Sequence, residues 1–171
     1  MRRRNPEPAE ATARNYAGAV YGSLLAASVI ATAGTLGSFP RLQLVVMLLT
    51  TGLVFWITHV YARLVGDRLV GDRLAHQAWS WETIRHMARA EWPIAQAALL
   101  PAAAVAVSPS LGLGPGDTAW LALGVALAEQ VAWATTAVVK AGASRRLVAV
   151  TGAINVLLGL VLVAAKAVVQ H

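Results

Sequence analysis

The sequence predicts an all-α membrane protein: five transmembrane helices, with a short amphipathic cytoplasmic helix between helices 2 and 3, the N-terminus inside and the C-terminus outside. Two observations carry the fold class and a third the orientation. Of the 171 residues 57% are hydrophobic and 13% charged, with a mean hydropathy of +0.60, whereas soluble domains run at about 25% charged. The charges gather between long uncharged runs, which makes the chain a single membrane domain with no soluble domain of any size. The positions of lysine and arginine then set which side each connection faces.

Residues 1–15 (MRRRNPEPAEATARN), with two prolines and four arginines, read as a disordered cytoplasmic tail. The first span covers 16–37. In it Gly18 and Gly22 lie four apart, as do Ala19, Ser23 and Ala27, a spacing that lets helix backbones approach closely. A signal peptide is the rival reading of this stretch, with Ala31-Thr32-Ala33 as the cleavage site. The length of the apolar run and the membrane character of the remaining chain favour a retained span. The second span, 42–62, holds His59 and runs into a direct repeat of RLVGD at 63–67 and 68–72. A five-residue period keeps no helical face, so the repeat reads as a tolerant loop, with Arg63 and Asp67 placed to pair if the helix continues.

Residues 80–91 read as a helix lying in the headgroup region. Ser80 caps it and Glu82 sits in its first turn. Trp81, Ile84, Met87 and Ala88 fall on one side, and Glu82, Arg85, His86 and Arg89 on the other, with Trp79 and Trp92 as anchors. The third span, 92–108, is short and contains Pro101, which removes a backbone hydrogen bond and bends a helix. The fourth, 118–139, follows a loop without charge. The fifth, 147–169, carries Gly152, Asn155, Gly159 and Lys166, with the glycines suited to close packing and Asn155 to an interhelical hydrogen bond.

With the N-terminus inside, the cytoplasmic segments hold Arg2, Arg3, Arg4, Arg14, Arg63, Arg68, Arg73, Arg85, Arg89, Lys140, Arg145 and Arg146. The other side keeps Arg41 and Lys166, a split of 12 to 2 among 14. In short loops that bias sets orientation, and it accounts for the formal charge of +6 without nucleic acid as a partner. The partners it implies are the lipid bilayer and either a second copy or another membrane subunit; the membrane is the bacterial inner, or plasma, membrane.

The candidate site centres on Glu129, the one ionisable residue between Asp117 and Lys140. A carboxylate at mid-membrane costs about 2.5–3.5 kcal/mol on insertion scales. A chain that keeps one there pairs it, protonates it or wets it. Steps of three and four place Thr118, Ala122, Val125, Trp133, Thr136 and Lys140 on its face, and leave Leu121, Leu123 and Val131 on the hydrocarbon side. That face is expected against other helices. Counting depth at about 1.5 Å per residue puts His59, Trp133, Asn155 and Gln96 near one level in the cytoplasmic half, with Glu129 about a turn deeper. Glu129, His59, Asn155, Thr136 and Gln96 therefore form the candidate ion or proton site; ordinary interhelical hydrogen bonding explains the same residues, and both readings stay open.

No cofactor is implied. There are no cysteines, which excludes thiolate ligands, disulfides and cysteine nucleophiles. His76, Glu82, His86 and Glu91 share a loop without metal-ligand spacing and read as a solvated face. Only His59 lies within a span, so a bis-histidine haem fails on count. No nucleophile elbow or phosphate loop occurs. An enzyme has no residue support beyond Glu129 and His59 as an acid/base pair.

The composition, rich in Ala, Val, Leu, Gly and Arg, resembles that of small integral membrane proteins of high-GC bacteria. The layout of spans, with AALLPAAA at Ala97–Ala104 in the third, is also similar to the vacuolar iron transporter family. That likeness implies five spans, a cytoplasmic N-terminus and a helical cytoplasmic segment after the second. The chain departs from it where that family binds metal: the first span has neither acid nor methionine, and the second offers only Met47. No metal ligand carries over, and the function classes left are a small ion or solute transporter and a non-catalytic scaffold or accessory subunit.

Reporter fusions test the orientation. Fusions after Gly37 and Gly114 should read as extracytoplasmic and those after Arg73 and Arg145 as cytoplasmic; inversion at two sites would overturn the charge-based topology.

Overall fold

The computed structural model describes residues 8–33, 41–70 and 80–169. Every regular element among them is helical: α1 (Pro8–Ala33), α2 (Arg41–Val70), α3 (Trp81–Gln96), α4 (Leu99–Val107), a 3-10 turn (Ser108–Leu111), α5 (Pro115–Lys140) and α6 (Arg145–Val169). Four stretches are long and apolar enough to cross a bilayer: Arg41–Gly66, Trp81–Leu111, Pro115–Lys140 and Arg145–Val168. The apolar part of α1, Tyr16–Thr32, is shorter and spans about 25 Å at 1.5 Å per residue.

A physical reason for that shorter run is the position of α1 in the bundle. It packs against α2, α3, α5 and α6, so much of its surface meets protein instead of lipid. Ala19, Ser23, Ala26, Ala27 and Ile30 are buried. Its hydroxyls return hydrogen bonds to their own helix: Ser23 Oγ to the Ala19 carbonyl at 2.9 Å, Ser28 Oγ to Leu24 at 2.9 Å. A helix enclosed in this way can carry serine and threonine, because the protein satisfies them. The helix also starts earlier than the sequence suggested. Residues 8–15, expected in the tail, continue α1, with Pro8 in its first turn and helix-forming residues after it.

Two further boundaries move. The helix of the second span does not stop at Ala62 but runs to Val70, taking in the first RLVGD copy; residues 71–79 lie outside the described part. At the third span the boundary expected at Trp92 is not one, since α3 passes through Trp92 and Pro93 to Gln96. The break falls at Ala97–Ala98, where Ala98 N–H bonds Ala95 at 3.2 Å in a three-residue turn and Ala102 N–H reaches back to Ala98 at 3.1 Å. Pro101 explains the place: lacking an N–H, it leaves the Ala97 carbonyl, four residues earlier, without a helical donor. Trp81–Leu111 together cover 31 residues, about 45 Å, more than a hydrocarbon core of about 30 Å. The two sides of residues 81–89 separate in part: Ile84, Met87 and Ala88 are half-buried and Glu82, Arg85, His86 and Arg89 exposed, but Trp81, expected on the covered side, is exposed at the first position of α3. The covered side meets α1 and α2; Trp56 Nε1 donates to the Ala88 carbonyl at 2.8 Å and Trp56 meets Trp92 edge-on at 5.4 Å.

Local signals stop and start the helices. Ser80 Oγ accepts from Glu82 N–H at 3.3 Å, and Ser144 Oγ from Leu147 N–H at 3.4 Å. Pro115 and Asp117 occupy the first turn of α5. Gly112, at φ 70°, closes the 3-10 turn in the left-handed region that favours glycine.

Close approach is concentrated where α1 and α2 meet α3 and α4. A Cβ on Gly22 would lie 2.5 Å from the Ile94 carbonyl oxygen, and one on Gly52 3.0 Å from Ala98 Cβ. Gly18 faces Ile94 at 3.3 Å. The small-residue spacing read in the first span thus marks a real contact. Gly22→Ala should destabilise the bundle by about 1–3 kcal/mol, because the obstacle is backbone. Gly124→Ala, with open space around it, should be neutral or stabilising by up to about 1 kcal/mol. Unfolding in detergent compares the two, and equal stability would remove the close contact as a determinant of the fold.

Candidate functional site

The buried face of α5 comprises Thr118, Ala119, Ala122, Leu123, Ala126, Glu129, Gln130 and Ala134. It is centred further round the helix than the sequence suggested: Leu123, assigned to the hydrocarbon side, is 1% exposed in the core, while Lys140 is exposed. Glu129 sits at the edge of this face. Its Oε1 accepts from Trp133 Nε1 at 3.1 Å, one turn along the same helix. Its Oε2 is buried and has no hydrogen-bond partner among the described residues.

Glu129 lines a groove of about 520 Å³ with Leu100, Val125, Ala128, Ala132, Trp133 and Thr136. Leu100, Ala128 and Ala132 are exposed, so the groove opens sideways on the surface of the bundle. Apart from the carboxyl group, the Thr136 hydroxyl and the indole N–H already spent on Glu129, its wall is hydrocarbon. Fourteen residues separate Glu129 from Pro115 and eleven from Lys140, by difference of the helix bounds, which puts the carboxyl group near mid-depth of its span.

The other predicted residues divide. Thr136 shares the groove with Glu129. Asn155 is buried on α6, and its partner is Gln130: Gln130 Nε2 donates to Asn155 Oδ1 at 3.1 Å, and Asn155 Nδ2 to the Thr151 carbonyl at 2.9 Å. Flanking glycines allow the approach, Gly152 facing Thr135 and Gly159 facing Leu127. His59 does not join Glu129. Its Nδ1 lies 3.0 Å from the Phe55 carbonyl and its ring packs on Tyr21 at 5.3 Å. Gln96 is exposed at the end of α3. The four-helix polar cluster that depth alone permits is therefore not assembled; helix rotation, which depth does not specify, turns His59 and Gln96 elsewhere.

Neither lysine within reach by sequence neutralises Glu129. Lys140 Nζ lies 5.3 Å from the Tyr16 ring centroid, and Lys166 Nζ, in a side chain 1% exposed, 4.9 Å from that of Trp120. An ion pair found among the described residues joins Arg63 to Glu91 across α2 and α3, and it places Glu91 inside the bundle; the side chain of Asp67, the pairing candidate from sequence, lies outside the described ones. Arg41 closes the other end. Its guanidinium donates to the Leu113 carbonyl and, at 3.3 Å, to Thr118 Oγ1, which is 2.9 Å from the buried Ser108 hydroxyl. This network fixes the 3-10 turn against α5.

Gln130 escaped the sequence reading because Glu129 drew attention to its own stripe. The signal was present: Ala119, Ala122, Ala126, Gln130 and Ala134 form a small-residue stripe at steps of three and four, the pattern of a close helix contact. Among the described residues no group of three or more His, Asp or Glu side chains converges as a metal site. Compared with protein-family models, curated proteins and solved structures, the chain matches none. No role is carried over to any residue from the vacuolar iron transporters.

A double-mutant cycle on Gln130→Leu and Asn155→Leu should give a coupling of about 0.6 kcal/mol, the average for interhelical hydrogen bonds in membranes. Unfolding of the four proteins in bicelles measures it. A coupling of zero would remove this bond from the account of how α5 pairs with α6.

Proposed function

We propose that the chain is a multi-pass protein of the bacterial inner membrane, N-terminus inside, that binds and moves a small ion or solute at Glu129. One observation carries this reading: Glu129, whose Oε2 is buried and without a partner among the described residues, is one of the residues lining a sideways-opening groove near the middle of its helix. An acid kept there for packing would be expected to spend both oxygens inside the bundle, as Asn155 spends both ends of its amide. Glu129 spends one, on its own helix. Intramembrane acids mark ion or proton paths by default.

The second reading is a non-catalytic scaffold or accessory subunit. The Gln130–Asn155 and Arg63–Glu91 contacts favour it, since both tie helices together without facing the groove. The two readings differ in what the loss of charge at position 129 does. Glutamine keeps the acceptor for Trp133 but cannot ionise. In proteoliposomes, Glu129→Gln should keep the melting temperature and lower proton or sodium flux by at least about ten-fold, the scale expected when an intramembrane titrating group is removed. Full flux in the Gln variant would end the role of Glu129. Absence of flux in the wild type, with a membrane partner co-purifying, would favour the scaffold.

A further inference from the structure

We infer that the groove at Glu129 takes a hydrophobic organic cation, an amine or onium group bearing apolar substituents, which enters sideways from the bilayer. The inference rests on the reading of Glu129 as a solute site and names the solute's class.

The donor set argues against a small inorganic ion as the bound solute. Hard divalent cations require six or more oxygens. The lining has a single carboxyl group, with Oε1 shared with Trp133 and Oε2 buried without a partner among the described residues, and the Thr136 hydroxyl. A compact cation would also have to leave its hydration shell in surroundings of hydrocarbon, which costs several kcal/mol or more. A cation whose charge is spread over apolar groups has little hydration to lose. It gains the apolar wall of Leu100, Val125, Ala128 and Ala132, and it meets a carboxylate where the low dielectric strengthens attraction. The indole of Trp133 lines the same space and adds aromatic surface suited to a cation. Anions find no free donor there beyond one hydroxyl. The size agrees as well, because pockets of about 300–1,000 Å³ hold drug-sized ligands and this one measures about 520 Å³. The exposed rim at Leu100, Ala128 and Ala132 sets the direction of entry.

Two other occupants compete for the space. Gly124, Ala128 and Ala132 form a small-residue stripe on the exposed side of α5, against which a second copy's helix could pack. A neutral lipid chain fits the wall but leaves the carboxyl group unanswered. Charge complementarity separates the organic cation from both.

The test is binding of tetraphenylphosphonium to the purified chain in nanodiscs by equilibrium dialysis, with tetraphenylborate as the anion of the same shape. Saturable binding of the cation alone is expected. Glu129→Gln should weaken it by at least about ten-fold, through loss of the opposite charge. Val125→Trp, which fills the groove and keeps the carboxyl group, should weaken it similarly, so the result does not depend on one variant. Asp117→Asn, an exposed acid at the start of the helix, should leave binding unchanged. Equal binding of both ions, or undiminished binding by Glu129→Gln and Val125→Trp, overturns the inference. So does a cross-linked dimer of Ala132→Cys that tetraphenylphosphonium fails to prevent, which would give the groove to a second copy. If the wild type binds no cation while Glu129-dependent proton flux persists, the solute class falls and the role of Glu129 as a titrating site stands. If the wild type binds the cation but shows no Glu129-dependent flux, the solute class stands and the role in transport falls.

Discussion

The bundle depends on how closely α1 lies against α3. At Gly22 the helix backbones approach until a single methyl group would meet the Ile94 carbonyl oxygen at 2.5 Å. In a bilayer, apolar side chains gain nothing by leaving lipid for protein, so association rests on tight packing and on hydrogen bonds. That contact puts α1 among α2, α3, α5 and α6. Its central place lets it be the least hydrocarbon-like of the long helices, with Ser23, Ser28 and Thr32 bonded to its own carbonyls. Gly18 and Gly52 extend the same close contact along α1 and α2. The surface left to lipid falls largely to α2, α4 and α6, whose exposed Leu, Val and Ile side chains suit it.

Around that core the polar side chains sort by whether the bundle answers them. Ser108, Thr118 and Arg41 close one end in a single network, and Arg63 with Glu91 ties α2 to α3 toward the other. Gln130 and Asn155 join α5 to α6. Three buried atoms lack a hydrogen-bond partner among the described residues: Glu129 Oε2, Gln130 Oε1 and Lys166 Nζ. Lys166 has an aromatic face in Trp120, and Gln130 uses its amide nitrogen. Glu129 differs from both in lying along the groove.

Much of the fold was legible because its signals are local. Hydropathy marks spans, Ser80 marks a start, and Gly18 and Gly22 mark a close helix contact whatever the partner is. The all-helical class and the stretches able to cross a bilayer follow from these. Continuity of α3 through Trp92 and Pro93 was not legible, since proline in a helix is tolerated only where its tertiary surroundings support it. For the site, the sequence identified Glu129, Thr136 and Asn155 as polar residues at membrane depth. It could not say that Asn155 answers Gln130, that Glu91 answers Arg63, or that His59 turns toward Tyr21. Depth follows from counting residues, but rotation and pairing belong to tertiary structure.

The groove itself traces back to one proline. Pro101 places the break at Ala97–Ala98, and the break divides the third span between two neighbourhoods. Before it α3 packs on α1 and α2; after it α4 packs on α2 and α5. Ser108 meets Thr118, and α4 and α5 run in opposite directions from there, so Leu100 comes level with Glu129. Beyond Leu100 the span has left α5 for α1, and nothing from it covers Ala132 or Thr136. The uncovered strip is the groove, lined by Leu100 of α4 and by one face of α5. The costly residue and the helix break thus lie in one region of the fold, with Glu129 along the strip that α4 leaves.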